Sequence, residues 1–383
     1  MSRYSTLIEQ IPPSGIRKFF DIVSQNKDVI SLGVGEPDFV TPWNIREDAI
    51  YSLEKGYTSY TSNWGLIELR EQVAAYLERR FNAHYNPKDE ILITIGVSEG
   101  VDITLRTILN PGDEVILPEP VYVCYDPLIR LALGKVMPID TSVTDFVLTP
   151  EAVEAKITPK TKAIVLCSPN NPTGAIIPPE NLIKILELAK KHDFWVLADE
   201  IYAELSYDEP YVSAASFHEF KDRLIFFSGV SKAFAMTGWR IGFLCGSSEF
   251  LSRALKIHQY SILCAPTISQ HASVEALKNS KDDVFDMALS YKKRRNFFIN
   301  QLNEIGLKTT MPKGAFYCFP SIKETGLNSE DFALKLLEKE QVAVVPGSVF
   351  GLGGEGYVRC CYATSFPLLK EATKRINRFL RKI

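Results

Sequence analysis

The sequence predicts an α/β protein: a three-layer sandwich around a mostly parallel sheet, joined to a smaller α+β domain. Three observations predict it. Between residues 91 and 245, short apolar runs alternate with amphipathic stretches. Within several of these runs Val, Ile and Leu follow one another without polar alternation, the mark of strands covered on both faces. Beyond about residue 285 the pattern changes to a long helical stretch with short strand signals after it.

In chain order, residues 1–45 carry two Pro clusters and little periodicity, and are expected to pack on the smaller domain. Strands are predicted at 91–95, 114–117, 135–139, 163–167, 194–198, 224–227 and 241–245. Between them, 98–109, 122–133 and 179–192 read as helices that cover the sheet. A helix over 285–305 follows, then strands at 307–311, 315–319, 342–345 and 357–361 and helices at 330–339 and 367–381. The expected division is a large domain over 46–284 and a small one made of 1–45 and 285–383.

The 383 residues exceed the length at which a single core usually stops growing. Hydrophobic residues make up 46% and charged residues 23%, ordinary for a globular chain. A net charge of −3 offers no basic excess, which argues against nucleic acid as partner. No apolar run reaches the length of a membrane span, and MSRYSTLIEQ lacks the apolar core of a signal peptide. The seven Cys form no C-x-x-C and read as reduced thiols of a cytoplasmic protein. The five His show no metal-ligand spacing, so no metal is expected.

Four groups fall where ligands bind in open parallel sheets, beyond the C-terminal ends of strands. T-I-G-V-S-E-G (94–100) is a strand-to-helix turn whose outward N–H groups suit a phosphate; many such turns are only structural. S-P-N-N-P-T-G (168–174) has turn chemistry, yet is more specific than a turn requires. A-D-E-I-Y (198–202) ends a buried strand in a carboxylate, which needs a partner or else caps a following helix. S-K-A-F-A-M-T-G-W-R-I-G (231–242) sets Lys232 among small and apolar residues, with Arg240 eight positions on. Singly, that lysine reads as a surface residue and that arginine as a structural ion pair. Together the groups fit one ligand. It has a phosphate for the helix N-terminus, Ser231 and Arg240. It has a ring nitrogen for Asp199, a phenolic oxygen for Asn171 and Tyr202, and an aldehyde for Lys232. That ligand is pyridoxal 5′-phosphate.

These strings, with G-V-G-E-P-D-F (33–39), Y-T-S-Y (57–60), P-K-G-A-F-Y (312–317) and Y-V-R-C (357–360), occur in an order that spans nearly the whole chain. In them the chain resembles the fold-type I pyridoxal-phosphate enzymes, specifically the aspartate and aromatic aminotransferase family in its bacterial and archaeal branch. The resemblance implies that Lys232 is the Schiff-base lysine and the base that moves the substrate's α-proton. It implies that Asp199 pairs with the ring nitrogen, and that Asn171 and Tyr202 bond the phenolic oxygen. Val97, Ser98, Ser231 and Arg240 would hold the phosphate. Tyr122 would stack on the ring, where many relatives have Trp. Tyr60 would reach the phosphate of a neighbouring subunit, which implies a homodimer with shared active sites. Arg359 would hold the substrate α-carboxylate, near the backbone of Gly35 and beside Asn171.

Three rival readings compete with this one. A carbon–sulfur β-lyase of the same fold would share the Lys, Asp and Arg but release pyruvate from cystathionine. A regulator on this fold would need a separate DNA-binding domain, for which a match beginning near residue 15 leaves no room. A dinucleotide site at G-L-G-G-E-G (351–356) lacks the strand before and the long helix after that the fingerprint needs. Expected substrates are aspartate or aromatic amino acids with a 2-oxo acid such as 2-oxoglutarate; N-acetyl-diaminopimelate is the alternative. Ile16, Arg17 and Phe316 are candidates for the substrate side.

Overall fold

The structure, a computed structural model, describes residues 3–13, 15 and 28–383. Ile16 and Arg17 therefore lie outside the described residues. Strand β1 (Ile30–Ser31) stands apart from the central sheet. That sheet is built from β2 (Ile91–Thr94), β3 (Glu114–Glu119), β4 (Lys135–Asp140), β5 (Thr161–Cys167), β6 (Trp195–Asp199), β7 (Leu224–Gly229) and β8 (Gly242–Cys245). The order across it is β2-β8-β7-β6-β5-β3-β4. Strand β8 runs against both its neighbours, β2 and β7, and every other pairing is parallel.

The unbroken apolar runs have a direct cause. Successive side chains of a strand point to opposite faces, and here both faces are covered. In β5, Ile164 and Leu166 enter one core with Ile116, Val196 and Phe226, closed by Leu69 and Val73 of the Ile67–Phe81 helix and Ile185 of the Pro179–His192 helix. Ala163 and Val165 enter the other core with Val115, Leu117 and Ile225, closed by Leu105 of the Gly96–Ile108 helix and Leu251 of the Ser248–Ser261 helix.

A third core lies beside this sandwich. Its strands are β9 (Tyr317–Cys318), β10 (Val342–Ala343), β11 (Val345–Pro346) and β12 (Val358–Cys361). Strand β12 runs antiparallel between β11 and β9, while β1 pairs in parallel with β10. Phe298, Phe332, Leu369 and Phe379 from the Lys281–Glu304, Ser329–Glu340 and Phe366–Leu380 helices close it. No helix among the described residues is long and apolar enough to cross a membrane.

Two expected elements differ. Residues 307–311 form no strand, because the side chain of Asn303 satisfies the Thr309 backbone on both sides (2.8 and 3.2 Å) in place of a sheet partner. The strand expected at 342–345 is split into β10 and β11, which belong to different sheets.

Candidate active site

A cleft of about 940 Å³ opens beyond the C-terminal ends of β5, β6 and β7. It is lined by Gly35, Val97, Ser98, Tyr122, Asn171, Asp199, Tyr202, Ser231, Lys232, Arg240 and Arg359. The residues singled out for the cofactor and for the substrate α-carboxylate, Tyr60 apart, are thus gathered into one cavity. Tyr60 is 83% exposed and lies on the outer surface instead.

Asp199 is the last residue of β6 and is buried. No helix follows it: its Oδ1 accepts from the Ile201 amide (3.1 Å) within a turn, so the helix-cap alternative falls away. Its Oδ2 accepts from the Tyr125 hydroxyl at 2.6 Å. Burial pushes the carboxyl up to about 6, against the hydrogen bonds of Tyr125 and Ile201 and the charge of Lys232, which hold it down. Lys232 follows β7 in a tight turn, and its Nζ donates to the Gly35 carbonyl at 2.9 Å. Burial brings this amine down to about 8, with Glu36 opposing the shift and the Arg359 and Arg240 charges adding to it.

Arg359 projects from β12 and is 2% exposed. One terminal nitrogen donates to Asn171 Oδ1 (2.9 Å) and the other to the Gly33 carbonyl (2.6 Å). The Tyr317 ring lies beneath the guanidinium, 4.6 Å to the centroid. The Nε hydrogen is buried with no partner among the described residues. An orphaned buried donor of this kind is costly.

The anion end is built by a turn. Gly96 has φ +69°, and a Cβ there would come 2.5 Å from Arg240 Nη2, so only glycine lets the guanidinium lie over the turn. Arg240 donates to the Thr237 carbonyl (3.2 Å) and to the Ile95 carbonyl (3.5 Å). The Gly96–Ile108 helix starts there with no side-chain cap, so its first N–H groups, at Val97 and Ser98, face the cleft. Buried Ser231 lies in the same wall.

Two contributors were not singled out in the sequence. Tyr125 donates to Asp199; it lies one helical turn after Tyr122 in P-V-Y-V-C-Y, and that spacing was the available signal. Tyr317 lines the cleft, with its hydroxyl 3.0 Å from that of Tyr202 and 3.4 Å from the Gly35 carbonyl. Phe316, expected on the substrate side, is a correction. It is fully buried and packs edge-on against Tyr202, 5.5 Å between centroids, as part of the core. Tyr122 does line the cleft, half-buried, with its hydroxyl pushed up to about 12 by burial.

The model of the family described as aminotransferase class I and II matches residues 27–376. "Putative aminotransferase YugH" of Bacillus subtilis is 55% identical over 100% of this chain and 99% of its own length. The probable N-acetyl-LL-diaminopimelate aminotransferase of the same organism is 45% identical over 97% of this chain and 94% of its own. The crystal structure of an aromatic aminotransferase from Pyrococcus horikoshii has a TM-score of 0.91 at 41% identity, covering 95% of this chain and 99% of that one. Sequence and three-layer fold agree over nearly the full length, and the chain belongs to the class I and II aminotransferase family.

Proposed function

We propose that the cleft binds pyridoxal 5′-phosphate, and that the chain moves an amino group from aspartate or an aromatic amino acid to a 2-oxo acid such as 2-oxoglutarate. The observation that carries this reading is a buried amine brought down to about 8, in the same cavity as a buried carboxylate. The donor set fits the group. Arg240, Ser231 and the amides of Val97 and Ser98 would hold the phosphate, and Asp199 the ring nitrogen. Tyr202 and the Asn171 amide would hold the phenolic oxygen, because Asn171 Oδ1 is already taken by Arg359 and its Nδ2 is left to donate. Tyr122 would lie against the ring.

When bound, the cofactor supplies a carbonyl carbon and an electron-accepting ring that make a substrate Cα–H bond acidic. Asp199 keeps a proton on the ring nitrogen. Lys232 Nζ takes the proton from the substrate Cα, a role suited to an amine that is about half unprotonated near pH 8. Arg359 receives the α-carboxylate, and the Gly35 backbone borders the same place. Val34, Val123, Tyr122 and Tyr317 give the cleft apolar surface, in favour of aromatic donors. The 45% identical relative supports N-acetyl-diaminopimelate as a second reading.

The proposal includes a homodimer with shared sites in a reducing cytoplasm. Tyr60 is exposed on a segment tied to 263–267 by Thr267 Oγ1 to the Ser59 carbonyl (2.8 Å) and Asn63 Nδ2 to the Leu263 carbonyl (2.7 Å). Trp43, Tyr57 and Tyr260 are also exposed. All seven cysteines are free.

The test is a half-reaction screen. Cofactor-loaded protein is mixed with single amino acids, N-acetyl-diaminopimelate and cystathionine, without any 2-oxo acid. Loss of the aldehyde-form absorbance with aspartate or aromatic donors is the expected result. Conversion by N-acetyl-diaminopimelate alone selects the second reading. Pyruvate from cystathionine with no conversion by any amino acid refutes the substrate assignment.

A further inference from the structure

Glu99 lies in the first turn of the Gly96–Ile108 helix, one residue beyond the amides proposed to meet a phosphate. An acid there is awkward, because it competes with an anionic ligand for the positive end of the helix. Its oxygens are both engaged. Oε2 accepts from the Ile95 amide at 2.5 Å, and Oε1 faces Nδ1 of His258 at 2.6 Å. A carboxylate can only accept, so Nδ1 carries the hydrogen. His258 comes from the Ser248–Ser261 helix and its side chain is 0% exposed. Its Nε2 has no partner among the described residues.

This arrangement exceeds what a helix start needs. Glu99 alone caps the Ile95 N–H. His258 adds a buried polar ring with one nitrogen unsatisfied, which lowers stability. What it does is hold the carboxylate turned away from the ligand. The two peptide groups that flank Ile95 are then held in turn, the N–H of the first by Glu99 and the carbonyl of the second by Arg240 at 3.5 Å. The second peptide leads directly into Gly96, over which the Arg240 guanidinium lies.

We propose that Glu99 and His258 are a positioning dyad for the phosphate-binding turn, acting through the Ile95 backbone and Arg240 without touching the cofactor. The inference rests on the cofactor reading above. It is tested by the affinity of the apoenzyme for pyridoxal 5′-phosphate and for pyridoxal, which lacks the phosphate. His258→Leu and Glu99→Ala are expected to lower affinity for the phosphorylated form about tenfold, the loss of one hydrogen bond to a charged group. Pyridoxal affinity should hold; the melting temperature should fall with Glu99→Ala, which leaves the Ile95 N–H and the buried His258 Nδ1–H without their acceptor. His258→Asn, whose amide offers an N–H in place of Nδ1, is expected to restore most of the loss. An unchanged preference for the phosphorylated form overturns the dyad, and so does an equal loss for both ligands. If His258→Leu does not fold, Glu99→Gln against Glu99→Ala reads the same ratio. A wild-type protein with no preference between the two ligands refutes the phosphate site itself, a failure distinct from that of the dyad.

Discussion

Replacing Tyr125 with Phe removes one oxygen and tests how the buried Asp199 is controlled. The 2.6 Å bond is shorter than the 3.1 Å bond from the Ile201 amide to the same carboxylate, and both its partners are buried. Burial and the neighbouring Asp199 charge push the Tyr125 hydroxyl well up, so it stays protonated and donates. A hydrogen bond to a charged group contributes about 1.5–3 kcal/mol, or roughly one to two pKa units. Without it, Asp199 should rise from about 6 to roughly 7–8. Burial already raises this group above its unfolded 3.8, so its contribution to stability is fully present below pH 3.8 and is lost as pH rises through about 6. In Tyr125→Phe the loss extends to higher pH and is larger by about 1.5–3 kcal/mol above it. The assay is urea unfolding of the apoenzyme from pH 4 to 9 for wild type, Tyr125→Phe and Asp199→Asn. The gap between wild type and Tyr125→Phe should widen with pH, and the widening should vanish in the Asp199→Asn background. Parallel curves in both backgrounds would refute the reasoning.

Other substitutions separate the remaining roles. Lys232→Ala should leave the far-UV circular dichroism unchanged and abolish the half-reaction; normal turnover would remove the lysine from the chemistry. Arg359→Lys gives up the fork that spans Asn171 and Gly33, and should lower kcat/KM about 10–100-fold, chiefly through KM. An unchanged KM would show that the α-carboxylate binds elsewhere. Gly96→Ala combines φ +69° with a clash at Arg240, and should cost about 1–3 kcal/mol of stability and weaken cofactor binding; calorimetry showing no loss would mean the turn relaxes freely.

The layered sheet was legible because it is local. A strand buried on both faces must be apolar at every position, and β5 and β7 print that requirement directly on the chain. The two-residue strand β9 carries no such period. There neighbouring positions fall on opposite sides, and it is Tyr317, not the expected Phe316, that lines the cleft. Short strings also pointed to the cleft: Lys232, Asp199 and Asn171 stand in stretches that fit one ligand together, while Arg359 was singled out only through the resemblance.

By itself, then, the order of residues determined the two-faced sheet, the turn at Gly96 and the set of reactive groups, each a matter of a few neighbouring residues. Only the tertiary structure decided how they pair. Arg359 meets the Gly33 carbonyl across 326 positions, Lys232 meets that of Gly35 across 197, and Tyr125 meets Asp199 across 74. Such contacts follow from which core each segment is buried in, a choice made by the free energy of the whole packed chain and not by any one stretch of it.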